Sequence, residues 1–356
     1  MTTLHLQRRI DLLVQLGDYL RGEDEAWLAV RDRAFRENNW FIPEFIDTAI
    51  NGIANEYLNR AALEELAQTY SLPDEPAHPK KVGIVMAGNI PLVGFHDLLC
   101  VFLSGHLAMV KPSSKDEHLV KHLVNKLIEW EAAVAERIAI SEMIRNADAY
   151  IATGSNNSSR YFDYYFQKYP SIIRKNRTSV ALLDGTESKE DLEKLADDVY
   201  RYFGLGCRNV TKLFVPRDYD FKPLLEAFRK YDYLINHHKY KNNYDYQLAM
   251  HILNNRYYMT NGSILLVEDP APFSAIAQLH YEFYDDAGAV RDSLRDNASI
   301  QCVVGRDAIG FGGAQLPGIC DFADGVDTMK FLVELGGTDG ENDRFSGGEE
   351  ELLRSS

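Results

Sequence analysis

Cys207 stands in a turn of glycines and polar residues, Gly204-Leu205-Gly206-Cys207-Arg208-Asn209. A thiol in such a turn has backbone N–H groups beside it, and the adjacent Arg208 favours the thiolate, the form that attacks carbonyl carbon. A lone cysteine is more often an inert core residue. Cys100 and Cys302 lie in apolar runs and are read that way. Asn89 follows a short apolar run at residues 82–87. It sits at the carboxyl end of a predicted strand, where open α/β sheets place their sites. Its amide can donate to a developing oxyanion; the plain alternative is turn chemistry before Pro91. Lys111 closes the next apolar run and precedes Pro112-Ser113-Ser114. A lysine and hydroxyls at a helix start suit ribose or phosphate, against the simpler reading of a capped helix with a solvated lysine.

Positioning these residues takes strands that end where they begin. Residues 82–87 are the length of a buried parallel strand. A helical pattern over 93–103 follows, with Gly105 as its C-cap, then a strand at 108–111. Ser114 and Glu117 have capping-box spacing, and Leu119, Val120, Leu123, Val124, Leu127 and Ile128 form the stripe of the next helix. The alternation continues with a strand at 149–153, a helix at 155–169 and a strand at 179–183. A helix capped by Ser188 and Asp191 stops at Gly204, and a strand at 211–215 follows Cys207. This is the pattern of parallel α/β sheets. Residues 1–80 read as helices, and the aromatic stretch 222–284 as core, with an acyl tunnel as the lesser alternative.

The chain has 356 residues, enough for about two domains, with 46% hydrophobic and 26% charged residues. Its 38 bases against 53 acids give a net charge of −15, which argues against a general nucleic-acid binder. No apolar run is long enough for a membrane span. The four cysteines form no C-x-x-C pair and read as reduced cytoplasmic thiols, with no disulfide framework. His237, His238 and His251 read as surface or packing residues, and Asp321, Asp324 and Asp327 as caps and solvated acids, so no metal site is expected. G-x-G-x-x-G, the phosphate loop and G-x-S-x-G are all absent.

The stretch VGIVMAGNIPLVGFHDLLCVFLSGHLAMVKPSS resembles the aldehyde dehydrogenase superfamily, as do ATGSNNSS, GLGCRNVTKLFVP and GFGGAQLPGICDFADGVDTMKFLVEL, in that order. The nearest likeness is to its acyl-CoA reductase (LuxC-type) branch. The resemblance implies two parallel-sheet α/β domains with the cofactor and substrate cleft between them. It implies an N-terminal helical part of the cofactor domain at 1–80 and a nucleotide-binding domain at 81–200. A catalytic domain at 201–305 follows, then a C-terminal segment with a closing strand at 306–335. Residues 336–356, acidic and glycine-rich, read as a disordered tail. By the same resemblance Cys207 is the nucleophile and Asn89 the oxyanion donor. Lys111, Ser113, Ser114, Ala87, Gly88, Thr153, Gly154 and Ser155 contact the dinucleotide.

Two departures refine the expectation. Hydrolytic relatives carry a glutamate upstream of the cysteine that activates water. The corresponding position here is Ile173, and between Ser155 and Leu183 the only carboxylate is Asp163. A missing base favours chemistry in which a thioester enters or leaves. Ser114 stands where NAD-preferring relatives often have a glutamate, leaving room for the 2′-phosphate of NADPH; the usual ribose-binding glutamate is not recognisable, and Glu268 is a poor stand-in. The expectation is a cytoplasmic NADPH-dependent reductase of a medium or long-chain fatty acyl-CoA. The alternatives are an acyl phosphate or acyl-carrier-protein thioester as substrate, or a non-catalytic nucleotide-binding scaffold. A homo-oligomer or an acyl-transferring partner protein is compatible with the sequence.

Overall fold

The computed structural model describes residues 4–154, 162 and 164–337. Four helices lead: α1 (Leu6–Arg21), α2 (Glu25–Glu37), α3 (Pro43–Gly52) and α4 (Arg60–Thr69). In α1, Ile10, Leu13, Leu16 and Leu20 recur every three or four residues and are all buried, as a helix with one face on a core requires. That core is shared with the first sheet.

The first sheet holds β1 (Lys81–Val85), β2 (Leu107–Lys111), β3 (Ile138–Ile140), β4 (Ala149–Thr153) and β5 (Ser171–Arg174). Its order is β3-β2-β1-β4-β5, with every pair parallel. Helices α5 (Phe95–Leu103) and α6 (Glu117–Trp130) are the crossovers from β1 to β2 and from β2 toward β3. The chain winds outward from β1 to β3 and returns on the other side of β1 as β4. The carboxyl ends of β1 and β4 therefore flank a switch point, the place where such sheets hold ligands.

The second sheet holds β6 (Thr178–Leu182), β7 (Val210–Pro216), β8 (Met259–Thr260), β9 (Leu265–Glu268), β10 (Gln278–Tyr284) and β11 (Ile300–Val304). Its order is β11-β6-β7-β10-β9-β8, and β8 alone of these runs antiparallel, against β9. Helices α7 (Lys189–Tyr200), α8 (Phe221–Ala227), α9 (His238–Leu253) and α10 (Ala287–Arg295) accompany it. Ser188 and Asp191 cap α7 reciprocally, as their spacing predicts. In the aromatic stretch Tyr231, Tyr240, Tyr244 and Tyr281 are buried core residues, while Tyr233, Tyr246 and Tyr257 are exposed.

Four expectations need correction. Residues 178–200, placed with the nucleotide-binding domain, belong to the second sheet: β6 pairs with β7 and β11, and α7 buries Leu192, Leu195 and Val199 in the second core. The cause is connection length. Residues 175–177 alone separate β5 from β6, and parallel neighbours in one sheet need a crossover of about a dozen residues or more. The expected closing strand within 306–335 is a helix, α11 (Thr328–Gly337). Met329, Leu332 and Leu335 fall on one buried helical face, and His106 Nε2 bonds the Leu332 carbonyl at 2.9 Å. Ser114 does not cap α6. Asp116 holds that position without a side-chain cap, its Oδ2 instead accepting the N–H of Leu92 at 2.7 Å. The tail expected from 336 starts inside α11, and residues from 338 onward lie outside the described ones, as does most of the helix expected at 155–169. No helix among the described residues is long and apolar enough to cross a membrane.

Candidate active site

The carboxyl ends of β1, β2 and β4 stand side by side, with Val85 level with both Lys111 and Ala152. Ala87, Gly88 and Asn89 leave the first strand, Lys111, Ser113 and Ser114 the second, and Thr153 and Gly154 the third. These nucleotide-site candidates thus share one edge of one sheet; Ser155 lies outside the described residues. Gly88 is required by packing, because a Cβ there would lie 2.5 Å from Ser113 Oγ. Lys111 is half-buried, and among the described residues no carboxylate pairs with it, so its ammonium is available to a ribose or phosphate oxygen. A crevice at a switch point with a free lysine and two serines fits a dinucleotide.

The loop after β1 is shaped by Leu92, whose φ of 56° is left-handed. Its N–H is held by the buried Asp116, whose carboxyl burial keeps well above the usual range. The cysteine turn is built with comparable strain. After α7, residues Arg201–Gly204 form a 3-10 turn in which Tyr202 (φ 54°) and Phe203 (φ 56°) are left-handed. Such residues cost about 1–3 kcal/mol each and persist only where the surrounding packing over-determines them. Here Phe203 is pinned edge-on by Trp40 and Phe45, each with ring centroids 5.0 Å away.

The two loops meet. Asn89 Nδ2 donates to the carbonyl oxygen of Leu205 at 2.7 Å, and Ile90 lies 3.7 Å from where a Gly206 Cβ would stand. The two catalytic candidates, from different sheets, are thus joined two residues ahead of Cys207.

Cys207 is half-buried, and burial pushes its thiol up to about 11. The charge of Arg208 and the residue's own N–H act in the opposite direction and do not prevail. Burial thus outweighs the cation that the sequence places beside the sulfur; the Arg208 guanidinium also donates to the Ala314 carbonyl at 3.4 Å. Cys100 is a buried core thiol, as expected. Cys302 is only half-buried, its Sγ 3.0 Å from Ser179 Oγ, and Ser179 Oγ donates to the Cys207 carbonyl at 3.0 Å. All four cysteines are free.

No carboxylate hydrogen-bonds Cys207 among the described residues. The charge of Asp324 reaches the thiol and opposes its ionisation. That acid is engaged, with Arg177 Nε at 3.4 Å and the Lys175 N–H at 3.3 Å. Ile173 lies in β5. The next residue, Arg174, is buried against Asp97 at 2.6 Å and Thr328 Oγ1 at 2.8 Å. Glu268 is exposed at the end of β9, two strands from β7.

Three buried residues escaped the sequence reading. Asn209 is fully buried and holds the turn together. Asp198, at the end of α7, accepts the N–H groups of Gly312 at 2.7 Å and Ala314 at 3.0 Å, and burial raises its carboxyl to about 7. Ser179 supports the Cys207 carbonyl. Asn209 had a visible signal, an amide in a glycine turn after a helix; Asp198 and Ser179 had none.

The sequence model for acyl-CoA reductase (LuxC) matches residues 50–230, half of the chain. This chain belongs to the acyl-CoA reductase (LuxC) family. One relative, long-chain acyl-protein thioester reductase 2 of Photobacterium leiognathi, is 24% identical over 229 residues, 55% of this chain and 48% of the relative. The LuxC-family chain thus spans about half the length of that curated relative. Among solved structures, an indole-3-acetaldehyde dehydrogenase complexed with NAD+ aligns with TM-score 0.63 and 13% identity, covering 85% of this chain and 72% of that one. An aldehyde dehydrogenase from Mycobacterium tuberculosis complexed with NAD+ aligns at TM-score 0.59 and 13% identity over 84% and 72%. An oxidoreductase from Marinobacter aquaeolei gives TM-score 0.60 and 11% identity over 84% and 73%. The LuxC-family chain therefore has the aldehyde dehydrogenase-like fold.

Proposed function

We propose that this LuxC-family chain reduces a fatty acyl thioester, taken as a medium or long-chain acyl-CoA, to the aldehyde through a Cys207 acyl-enzyme. The observation that carries the reading is the Asn89 to Leu205 bond, which anchors an amide from the nucleotide sheet on the loop of the nucleophile. One amide hydrogen is used in that bond, and the other remains for an oxyanion.

Cys207 sulfur adds to the thioester carbonyl. The oxygen takes up the π electrons and is held by the Cys207 N–H and the free Asn89 N–H. Collapse expels the carrier thiolate, which takes the proton that Cys207 gave up. Ala87, Gly88, Lys111, Ser113, Ser114, Thr153 and Gly154 would hold NADPH, which would supply the hydride that brings the acyl carbon to the aldehyde level. Cys207 is then the leaving group: its sulfur parts from the reduced carbon with the bonding electron pair, freeing aldehyde, and a proton taken from water restores the thiol. Among the described residues no carboxylate hydrogen-bonds the sulfur, which supports an acyl-enzyme that water does not readily reach. The neutral Ser114 supports NADPH over NADH.

A second reading keeps the chemistry and changes the carrier. The printed name of the Photobacterium leiognathi relative specifies an acyl-protein thioester, which favours a protein-borne acyl group. The test is aldehyde formation by purified protein from acyl-CoA, acyl-carrier-protein thioester and acyl phosphate, each with NADPH and NADH. Acyl-CoA with NADPH is expected to give aldehyde. Asn89→Ala is expected to slow acylation about a hundredfold, and Cys207→Ala to abolish turnover. NADPH oxidation by Cys207→Ala in the presence of acyl-CoA contradicts the reading.

A further inference from the structure

Asn209 makes more hydrogen bonds than a surface turn requires. Its Nδ2 donates to the carbonyls of Arg201 at 2.8 Å, Asp198 at 3.1 Å and Val199 at 3.3 Å. These oxygens lie at the end of α7 and in the turn after it, where a helix that stops leaves carbonyls without partners. Its Oδ1 accepts the N–H of Gly206 at 2.8 Å. Three carbonyls on one side and an N–H on the other fix which end of the amide is which.

The Gly206 N–H and the Leu205 carbonyl belong to one planar peptide unit. That unit is gripped at both ends by side-chain amides: Asn89 holds the oxygen at 2.7 Å, and Asn209 holds the N–H at 2.8 Å. In the next unit the Gly206 carbonyl accepts the backbone N–H of Asn209 at 3.1 Å. In a trans peptide the Cys207 N–H must then point the opposite way from that carbonyl, and it favours the thiolate of its own residue.

We propose that Asn209 is the positioning residue of the oxyanion site. It touches no substrate. It fixes the Leu205–Gly206 peptide on which Asn89 is anchored, and with it the direction of the Cys207 N–H. Both donors that receive the oxyanion are aimed through this one buried amide. The inference rests on the acyl-thioester reading of the same site.

Two reactions of Cys207 separate aiming from mere support. Acylation by acyl-CoA passes through an oxyanion. Alkylation by iodoacetamide displaces iodide from a saturated carbon and has none. Followed by mass spectrometry of the Cys207 peptide, Asn209→Ala is expected to lose acylation by about thirtyfold or more while alkylation changes less than about threefold. Asn209→Asp is the conservative variant. When protonated, at about pH 6 in so buried a place, it accepts from Gly206 and donates to a carbonyl, restoring the acylation-to-alkylation ratio; ionised, it loses that ratio again. Equal loss of both reactions, or an unchanged ratio, overturns the proposal. If Asn209→Ala does not fold, the Asn209→Asp ratio decides: a fall as pH rises supports the proposal and a flat profile overturns it. A wild type that is alkylated but never acylated by any thioester sinks the thioester reading and this inference with it. A wild type that is acylated, with Asn209→Ala unchanged, sinks this inference alone.

Discussion

At Cys207 two influences compete over one proton. Burial favours the thiol and prevails, setting its titration at about 11, while Arg208 and the residue's own N–H favour the thiolate. The thiolate fraction below that value grows with pH, so alkylation of the Cys207 peptide by iodoacetamide in the absence of substrate should rise about tenfold per pH unit between about pH 7 and pH 9. A plateau near neutral pH would show that a cation, not burial, governs the sulfur. The proposed nucleophile and oxyanion donor were visible in the sequence, because glycines around a cysteine and an asparagine after an apolar run are local patterns. The adjacent cation was legible there but burial was not, because how deeply the Cys207 sulfur is covered depends on packing far along the chain. Asn209 was visible only as an amide in a glycine turn; its burial and its bonds to α7 come from tertiary structure.

Among the elements, strands were the most legible, since short apolar runs closed by Gly88, Pro112 and Pro216 mark their own ends. The strand expected at 149–153 appears as β4, and the run before Pro216 as β7. What failed was assignment to a sheet. The apolar run before Leu183 looks like any other parallel strand, and only the shortness of residues 175–177 sends it to the second sheet. The segment after Asp327 was given the wrong type because a resemblance, not its own three-residue apolar spacing, was followed. That helix is also tied to the first sheet by charge: Arg174 at the end of β5 bonds Asp97 on α5 and Thr328 on α11. Removing one member of a buried ion pair leaves the other charge uncompensated. Arg174→Met is therefore expected to lower unfolding free energy by about 3–5 kcal/mol in a denaturant titration. A loss below about 1 kcal/mol would place Asp97 in contact with water or another cation.

Across the whole molecule, each sheet presents half of the proposed site. The first presents Lys111, Ser113, Thr153 and Gly154 at the ends of β2 and β4, on either side of β1, and the second presents Cys207 in the turn before β7. Bridges between them include Asn89 to Leu205 and, through the loop before α3, Phe203 against Trp40 and His237 to the Asn39 carbonyl. The segment after β11 joins them again, since Asp198 holds Gly312 and Ala314 before the chain returns to pack α11 on the first core. Such an arrangement retains an acyl group on sulfur when no hydride donor is present, because no described carboxylate is placed to deliver water. The most direct measurement is mass spectrometry of the intact protein and its Cys207 peptide after incubation with acyl-CoA and no nucleotide. The account predicts one acyl group per chain on Cys207, equal release of free CoA and little free acid, with the adduct converted to aldehyde when NADPH is added. An unmodified Cys207, an acyl group on another residue, or steady release of free fatty acid would contradict it.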